Sequence, residues 1–230
     1  MLKLQLHEND LNTANLYLRP DQVSRVSKLT PAIVDITGRF QPERQRVEDF
    51  IKGVYARSYG AKISIDYPTL MSVRHEDGDI LAAVGFRYAK DEPLFLEHYT
   101  GAPIEKVLRT PRRQIAEIGN LASAGGGASI FLFAALASYL NFRDIKYATV
   151  TGTDYLHRTF KKLGLHPQKI CDASLKEVQS EGQDWGTYYD TNPRVLAGSV
   201  EHSVARLKKA LGAEYQDCRP RLFPRLHYKT

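Results

Sequence analysis

The stretch from Arg112 to Gly164 limits the possible folds more than any other part of the chain. It opens with Gln114-Ile115-Ala116-Glu117-Ile118-Gly119-Asn120-Leu121, an apolar segment that carries one carboxylate. The loop Ala122-Ser123-Ala124-Gly125-Gly126-Gly127 follows, then an apolar run from Ile130 to Leu140. Ile145 to Thr151 reads as a second strand, and a polar helix ends at Lys162-Leu163-Gly164. Strand, glycine loop, buried helix and strand make a crossover, which sets its two strands parallel in one sheet. Main-chain N–H groups at the loop and helix start suit an anionic cofactor, with chemistry beside the strand.

The 230 residues suffice for one large domain, or a domain with a subdomain. No run approaches the roughly 18 apolar residues of a membrane span. The first six residues are too short and too alternating for an export signal. Cys171 and Cys218 form no disulfide framework and have no metal-type spacing. The expected location is cytoplasmic. Seven dispersed histidines lack any His-x-x-x-His pair, so no metal site is expected. The net charge of +6 is partly carried by Arg219, Arg221, Arg225 and Lys229, read as a solvated tail. Over the whole chain that charge favours an anionic ligand.

Leu2, Leu4 and Leu6 alternate like a strand, and Leu16-Tyr17-Leu18 and Ile33 to Ile36 suggest two more. Residues 1–38 are expected to form an extension, either an added layer or an arm. Gln41 to Ser58 reads as a helix, with Val47, Phe50, Ile51, Val54 and Tyr55 on one face. Ile63 to Ile65, Leu70 to Val73 and Ile80 to Tyr88 read as strands, the last two joined by a turn at Glu76 to Asp79. A short helix is expected over Pro103 to Leu108, a strand near Gln168 to Cys171 and a short helix from Ala173. Trp185 to Tyr189 reads as a strand and Val200 to Leu211 as the last helix. The order implies an α/β fold of the α+β type, with a mixed sheet that is antiparallel at its start.

Gly125, Gly126 and Gly127 allow a backbone path closed to other residues and bring N–H groups close to a ligand. The alternative is a plain turn between strand and helix. Glu117 shares its alternation with Ile115, Gly119 and Leu121, so its carboxylate is expected to be desolvated and suited to a general base. The competing reading pairs it with Arg87, Arg112 or Arg113. Asn120 would orient a substrate or water, and Ser129 would cap the buried helix. Trp185, Tyr188 and Tyr189 are candidates for a substrate pocket or for core packing.

The Arg112–Leu165 block resembles the core of the GNAT acyltransferase superfamily. Gly125-Gly126-Gly127 fits the end of its acyl-coenzyme A loop, although Ala122 or Ser123 replaces the usual Gln or Arg. Phe160-Lys161-Lys162-Leu163-Gly164-Leu165 resembles its helix end, with Phe160 in place of the acidic tyrosine. Tyr155 or His157 on the same helix would substitute for that tyrosine. From about Arg39 to Gly198 the chain also resembles the thermostable hemolysin family. The matching pieces include Glu117-Ile118-Gly119-Asn120-Leu121-Ala122-Ser123 and Trp185-Gly186-x-Tyr188-Tyr189. Acyl-homoserine lactone synthases share the layout more distantly, through Gly85-Phe86-Arg87 and Glu117. Asn120 stands where they carry arginine.

The resemblance implies a GNAT-like, mostly antiparallel sheet with a central parallel strand-loop-helix-strand unit and helices on both faces. Residues 39–215 would form that domain, followed by a basic tail over 216–230. It implies an acyltransferase that moves an acyl group from a thioester to a small-molecule amine, with Glu117 as general base. Acyl-CoA or acyl-phosphopantetheine on a carrier protein would be the co-substrate, with no tightly bound cofactor. Ala122, Ser123, Gly125, Gly126, Gly127, Ala128 and Ser129 would hold its phosphates. Arg87, Glu97, Trp185 and Tyr188 would bind the acceptor; the alternative makes Arg87 and Glu97 sheet-edge charges. Two alternatives remain: a membrane-active hemolysin, or a non-catalytic domain that binds an acyl carrier or aminoacyl-tRNA.

Overall fold

The computed structural model describes residues 1–178 and 183–219. The chain starts with the hairpin β1 (Leu2–Glu8) and β2 (Leu11–Leu18), then α1 (Pro20–Val23), β3 (Ile33–Gly38) and α2 (Arg44–Tyr59). A second hairpin, β4 (Thr69–Arg74) and β5 (Ile80–Tyr88), leads to the single turns α3 (Glu97–Thr100) and α4 (Ile104–Leu108). The central unit is β6 (Ile115–Ser123), α5 (Ala128–Phe142), β7 (Tyr147–Gly152) and α6 (Asp154–Lys162). The chain closes with β8 (Gln168–Asp172), β9 (Arg194–Ser199), α7 (Val200–Leu211) and β10 (Glu214–Asp217).

The ten strands of the described residues form one sheet in the order β10-β2-β1-β3-β4-β5-β6-β7-β9-β8. Among them only β1–β3 and β6–β7 run parallel. This is the expected mixed, mostly antiparallel α/β sheet with its parallel strand-loop-helix-strand unit. Residues 1–38 supply three strands of that same sheet rather than a separate layer or arm. The basic tail begins as β10, which pairs antiparallel with β2, and Arg221, Arg225 and Lys229 lie outside the described residues.

Helix α5 is apolar on nearly every side because it is covered on nearly every side. It packs on one face of the sheet beside α7, in the largest apolar cluster. On the opposite face, α2 buries Val47, Ile51 and Tyr55. That helix ends at Gly60, whose φ of 66° lets its N–H reach the Ala56 carbonyl.

Two expected strands are not formed. Ile63 to Ile65 has no ladder of its own; only the neighbouring Lys62 makes a bridge, to Asp184. Around Trp185 the chain turns instead of extending: Gly186 has φ +51°, its N–H donates to Asp184 Oδ1, and Tyr188–Thr191 form a 3-10 turn. The helix expected from Ala173 is a single 3-10 turn, Leu175–Glu177.

Candidate functional site

Strand β6 builds the site through two departures from regular geometry. The first is a bulge. Between the pairs Gly85↔Gly119 and Ala83↔Ala122, Asn120 and Leu121 both oppose Val84, and Asn120 takes φ +50°. The bulge reverses the alternation, so Leu121 joins Ala116 and Ile118 on the α5 face while Ala122 faces α2. The second is a splay. The β6–β7 ladder stops at Ile118↔Val150, although β6 continues to Ser123 and β7 to Gly152. A gap therefore opens between two parallel strands at the end where the glycine loop begins.

All three glycines of that loop need their lack of side chain: Gly125, Gly126 and Gly127 have φ of 98°, 63° and 86°. The loop is exposed from Ala124 to Gly126, and nothing lies within 4 Å of where a Cβ on Gly125 would stand. Gly127, not Ser129, caps α5. Among the described residues, the Gly126 and Gly127 amides have no acceptor. The segment after α1 fastens the loop from one side. Ser27 Oγ donates to the Gly126 carbonyl at 2.7 Å, and exposed Arg25 and Lys28 flank it in sequence. Ser123 Oγ accepts from the Gly125 N–H at 3.2 Å, and Ala122 is buried. Open amides at a helix N-terminus are an arrangement able to hold an anion.

Glu117 is 1% exposed. Burial pushes its carboxyl up to about 7, against the lowering effect of Arg87 and two amides. Its oxygens accept from Phe95 N–H at 2.9 Å and Leu96 N–H at 2.8 Å. Arg87 Nε stands 3.3 Å away, so both sequence readings hold: the carboxylate is desolvated and it is ion-paired. The expected general base is itself enclosed: Arg87, not Glu117, lines the neighbouring cavity. The Arg87 guanidinium lies 4.4 Å from the centre of the Tyr67 ring. Tyr67 in turn lies flat on two paired glycines. A Cβ on Gly85 would stand 2.6 Å from Tyr67 Cγ, and one on Gly119 would collide with the Tyr67 hydroxyl.

Cavities meet the gap from both faces of the sheet. On the α2 face, a cavity of about 50 Å³ is lined by Arg87, Asn120, Thr151 and the rings of Tyr67, Trp185 and Tyr188. Tyr188 Oη donates to the Thr151 carbonyl at 3.3 Å. Asp66 stands at the rim. Trp185 Nε1 and Thr151 Oγ1 are buried with no hydrogen-bond partner among the described residues. On the α5 face, an apolar cavity of about 100 Å³ is lined by Leu121, Phe133, Leu140, Val150 and Phe160. Ile118 lines both cavities.

Of the residues anticipated from sequence, Arg87, Asn120, Trp185 and Tyr188 come together around one cavity. Glu97 does not join them. It accepts from the Leu94 and Ile104 N–H groups and pairs with Arg112 at 2.6 Å, bracing the α3–α4 segment. Tyr155 is 73% exposed and, like His157, lines neither cavity, because α6 turns Leu156 inward. Thr151, Tyr55 and Tyr67 were not anticipated. The one signal for Tyr67 was a glycine on each of two neighbouring strands. Among the described residues there is no cluster able to hold a metal ion and no helix long and apolar enough to cross a membrane.

The model of the family described as thermostable hemolysin matches residues 37–204. No curated protein matches. Among solved structures, FeeM, an N-acyl amino acid synthase from uncultured soil microbes, is similar with a TM-score of 0.57 at 15% identity, over 78% of this chain and 96% of that one. The CoA-dependent acyl-homoserine lactone synthase BjaI, solved with SAM and isopentyl-CoA, gives 0.55 at 10% identity, over 78% and 89%. The acyl-homoserine lactone synthase LasI gives 0.53 at 14% identity, over 78% and 93%. At these identities the likeness establishes the fold.

Proposed function

This chain belongs to the thermostable hemolysin family, and we propose that it is an N-acyltransferase that moves an acyl group from a thioester to an amine. The observation that carries this reading is the gap beyond Ile118↔Val150, with an anion cradle at its end and a cavity on each side. The amides of Gly126 and Gly127 and the start of α5 would hold the phosphate arm of acyl-CoA or of acyl-phosphopantetheine on a carrier protein. The arm would lead the thioester into the gap. The amine would enter from the α2 face, where Asp66 and the rings of Tyr67, Trp185 and Tyr188 favour an ammonium group or an aromatic acceptor. By their names, the fold-sharing proteins make N-acyl amino acids and acyl-homoserine lactones, which supports the reading.

In this reading the amine nitrogen attacks the thioester carbonyl carbon and a C–N bond forms. The C–S bond breaks, its electron pair leaves with sulfur, and the amine's proton, passed through solvent, ends on the thiol. Thr151 Oγ1 and Trp185 Nε1 are unspent donors for the developing oxyanion or the acceptor. Glu117 is a positioning residue: ionised, it fixes Arg87 and the amides of Phe95 and Leu96 around the cavity. The lysis in the family's description would, in this reading, come from an amphiphilic acylated product.

Thermal shift and native mass spectrometry against acyl-CoA, bare CoA, acyl carrier protein and aminoacyl-tRNA test the donor. A ligand well above its dissociation constant raises the melting temperature by mass action. Stabilisation by a thioester supports the proposal. Leakage of liposomes by pure protein without donor, with no thioester bound, overturns it in favour of direct membrane action.

A further inference from the structure

Resting on the acyltransferase reading, we infer that the acyl group is a hydrocarbon chain several carbons longer than acetyl, and that it lies in the apolar cavity under α5. An acetyl group would end inside the gap and leave that cavity empty. The cavity is lined mostly by carbon: Leu121 and Val150 on the sheet, Phe133 and Leu140 on α5, and Phe160 on α6, with His166, Ser199, His202 and Ser203 as its polar residues. Its continuity with the reaction site runs through Ile118, which borders both cavities at the last paired position before the strands part. The bulge at Asn120 contributes directly, because it turns Leu121 away from the polar side and into this lining. The hollow is partly open and lies beside the strand gap, where β6 and β7 no longer pair.

The size sets a range. A dry apolar cavity of roughly 150 Å³ accepts benzene, so about 100 Å³ suits roughly four carbons beyond the carbonyl, and more once side chains give way. The rings of Phe133 and Phe160, 5.1 Å apart between centres, stand where they would limit the chain. Ala137 and Ala148 are the small residues of the lining, and their size keeps it open.

The test is a titration of the 230-residue chain with saturated acyl-CoA thioesters of two to twelve carbons, with bare CoA and free fatty acids as controls. The expected result is affinity rising about four-fold per added carbon, up to a sharp limit. Ala137→Phe should erase that rise while leaving acetyl-CoA and bare CoA binding unchanged. Phe160→Ala should move the limit to longer chains, and it keeps the test open should Ala137→Phe fail to fold. Equal affinity for all chain lengths, with acyl transfer intact, overturns this inference and leaves the transferase reading standing. Length-dependent binding of free fatty acids, with no thioester bound, overturns the transferase reading and makes the cavity a lipid site. Binding of neither class overturns both.

Discussion

The two faces of the sheet at β6 are built from alternating residues of one short strand, yet they present opposite environments. On the α2 face, Gly119 gives up its side chain so that Tyr67 can lie against the strand and carry Arg87. On the α5 face, Ile118 and Leu121 contribute carbon only. A regular strand would have put Leu121 with Glu117; the bulge at Asn120 separates them. One irregular residue thus sorts polar from apolar across a sheet only one strand thick. The gap beyond Ile118 is where the two environments touch.

The largest expected effect comes from removing the flat ground under Tyr67. Gly119→Val should displace that ring, cost about 3 kcal/mol by overpacking, and abolish transfer while leaving donor binding in the folded fraction. A melt and a donor titration on the same sample check this. Unchanged transfer would mean the α2 face is not the acceptor side.

Next comes the cradle. Gly127→Ala forces φ +86° on a residue with a Cβ, which would stand 2.7 Å from the Val26 carbonyl oxygen. Strain of about 1–3 kcal/mol is expected, with roughly ten-fold weaker donor binding and an unaltered acceptor KM.

Glu117 links the two faces to pH. Below about 7 its carboxyl is protonated and its hold on Arg87 weakens, so transfer should fall as pH drops through 7. Glu117→Gln should flatten that profile. Stability runs the other way. The folded-state value lies above the ordinary 4.5, so the contribution is fully present below 4.5 and is lost as pH rises through about 7. Relative to Glu117→Gln, the wild-type chain should lose about 3 kcal/mol across that window, read from chemical melts at several pH values. The smallest effect belongs to α6: Tyr155→Phe and His157→Ala should change transfer less than two-fold.

How far the sequence disclosed this architecture depended on distance along the chain. The β6–α5–β7 unit was readable because an apolar run between two strands is a local signal. Ile115, Glu117, Gly119 and Leu121 looked like unbroken alternation, and only pairing with β5 reveals the bulge. Tyr67 sits in a stretch without periodicity, so its place became clear only when Gly85 and Gly119 met across strands. Tyr155 is exposed and Glu97 is held by Arg112, and neither lines the cavity, because packing direction and ion pairing leave no signal in the local sequence. Strand β10, short and polar, is held by β2 from the other end of the chain and leaves no local trace.

Mass spectrometry of a reaction between the 230-residue chain, labelled pentanoyl-CoA or pentanoyl carrier protein, and a panel of amines tests the two-sided gap most directly. The expected result is an N-acyl amide carrying the label, with one thiol released for each amide formed. Thiol release with only free pentanoate, or no thiol release from either donor, would contradict it.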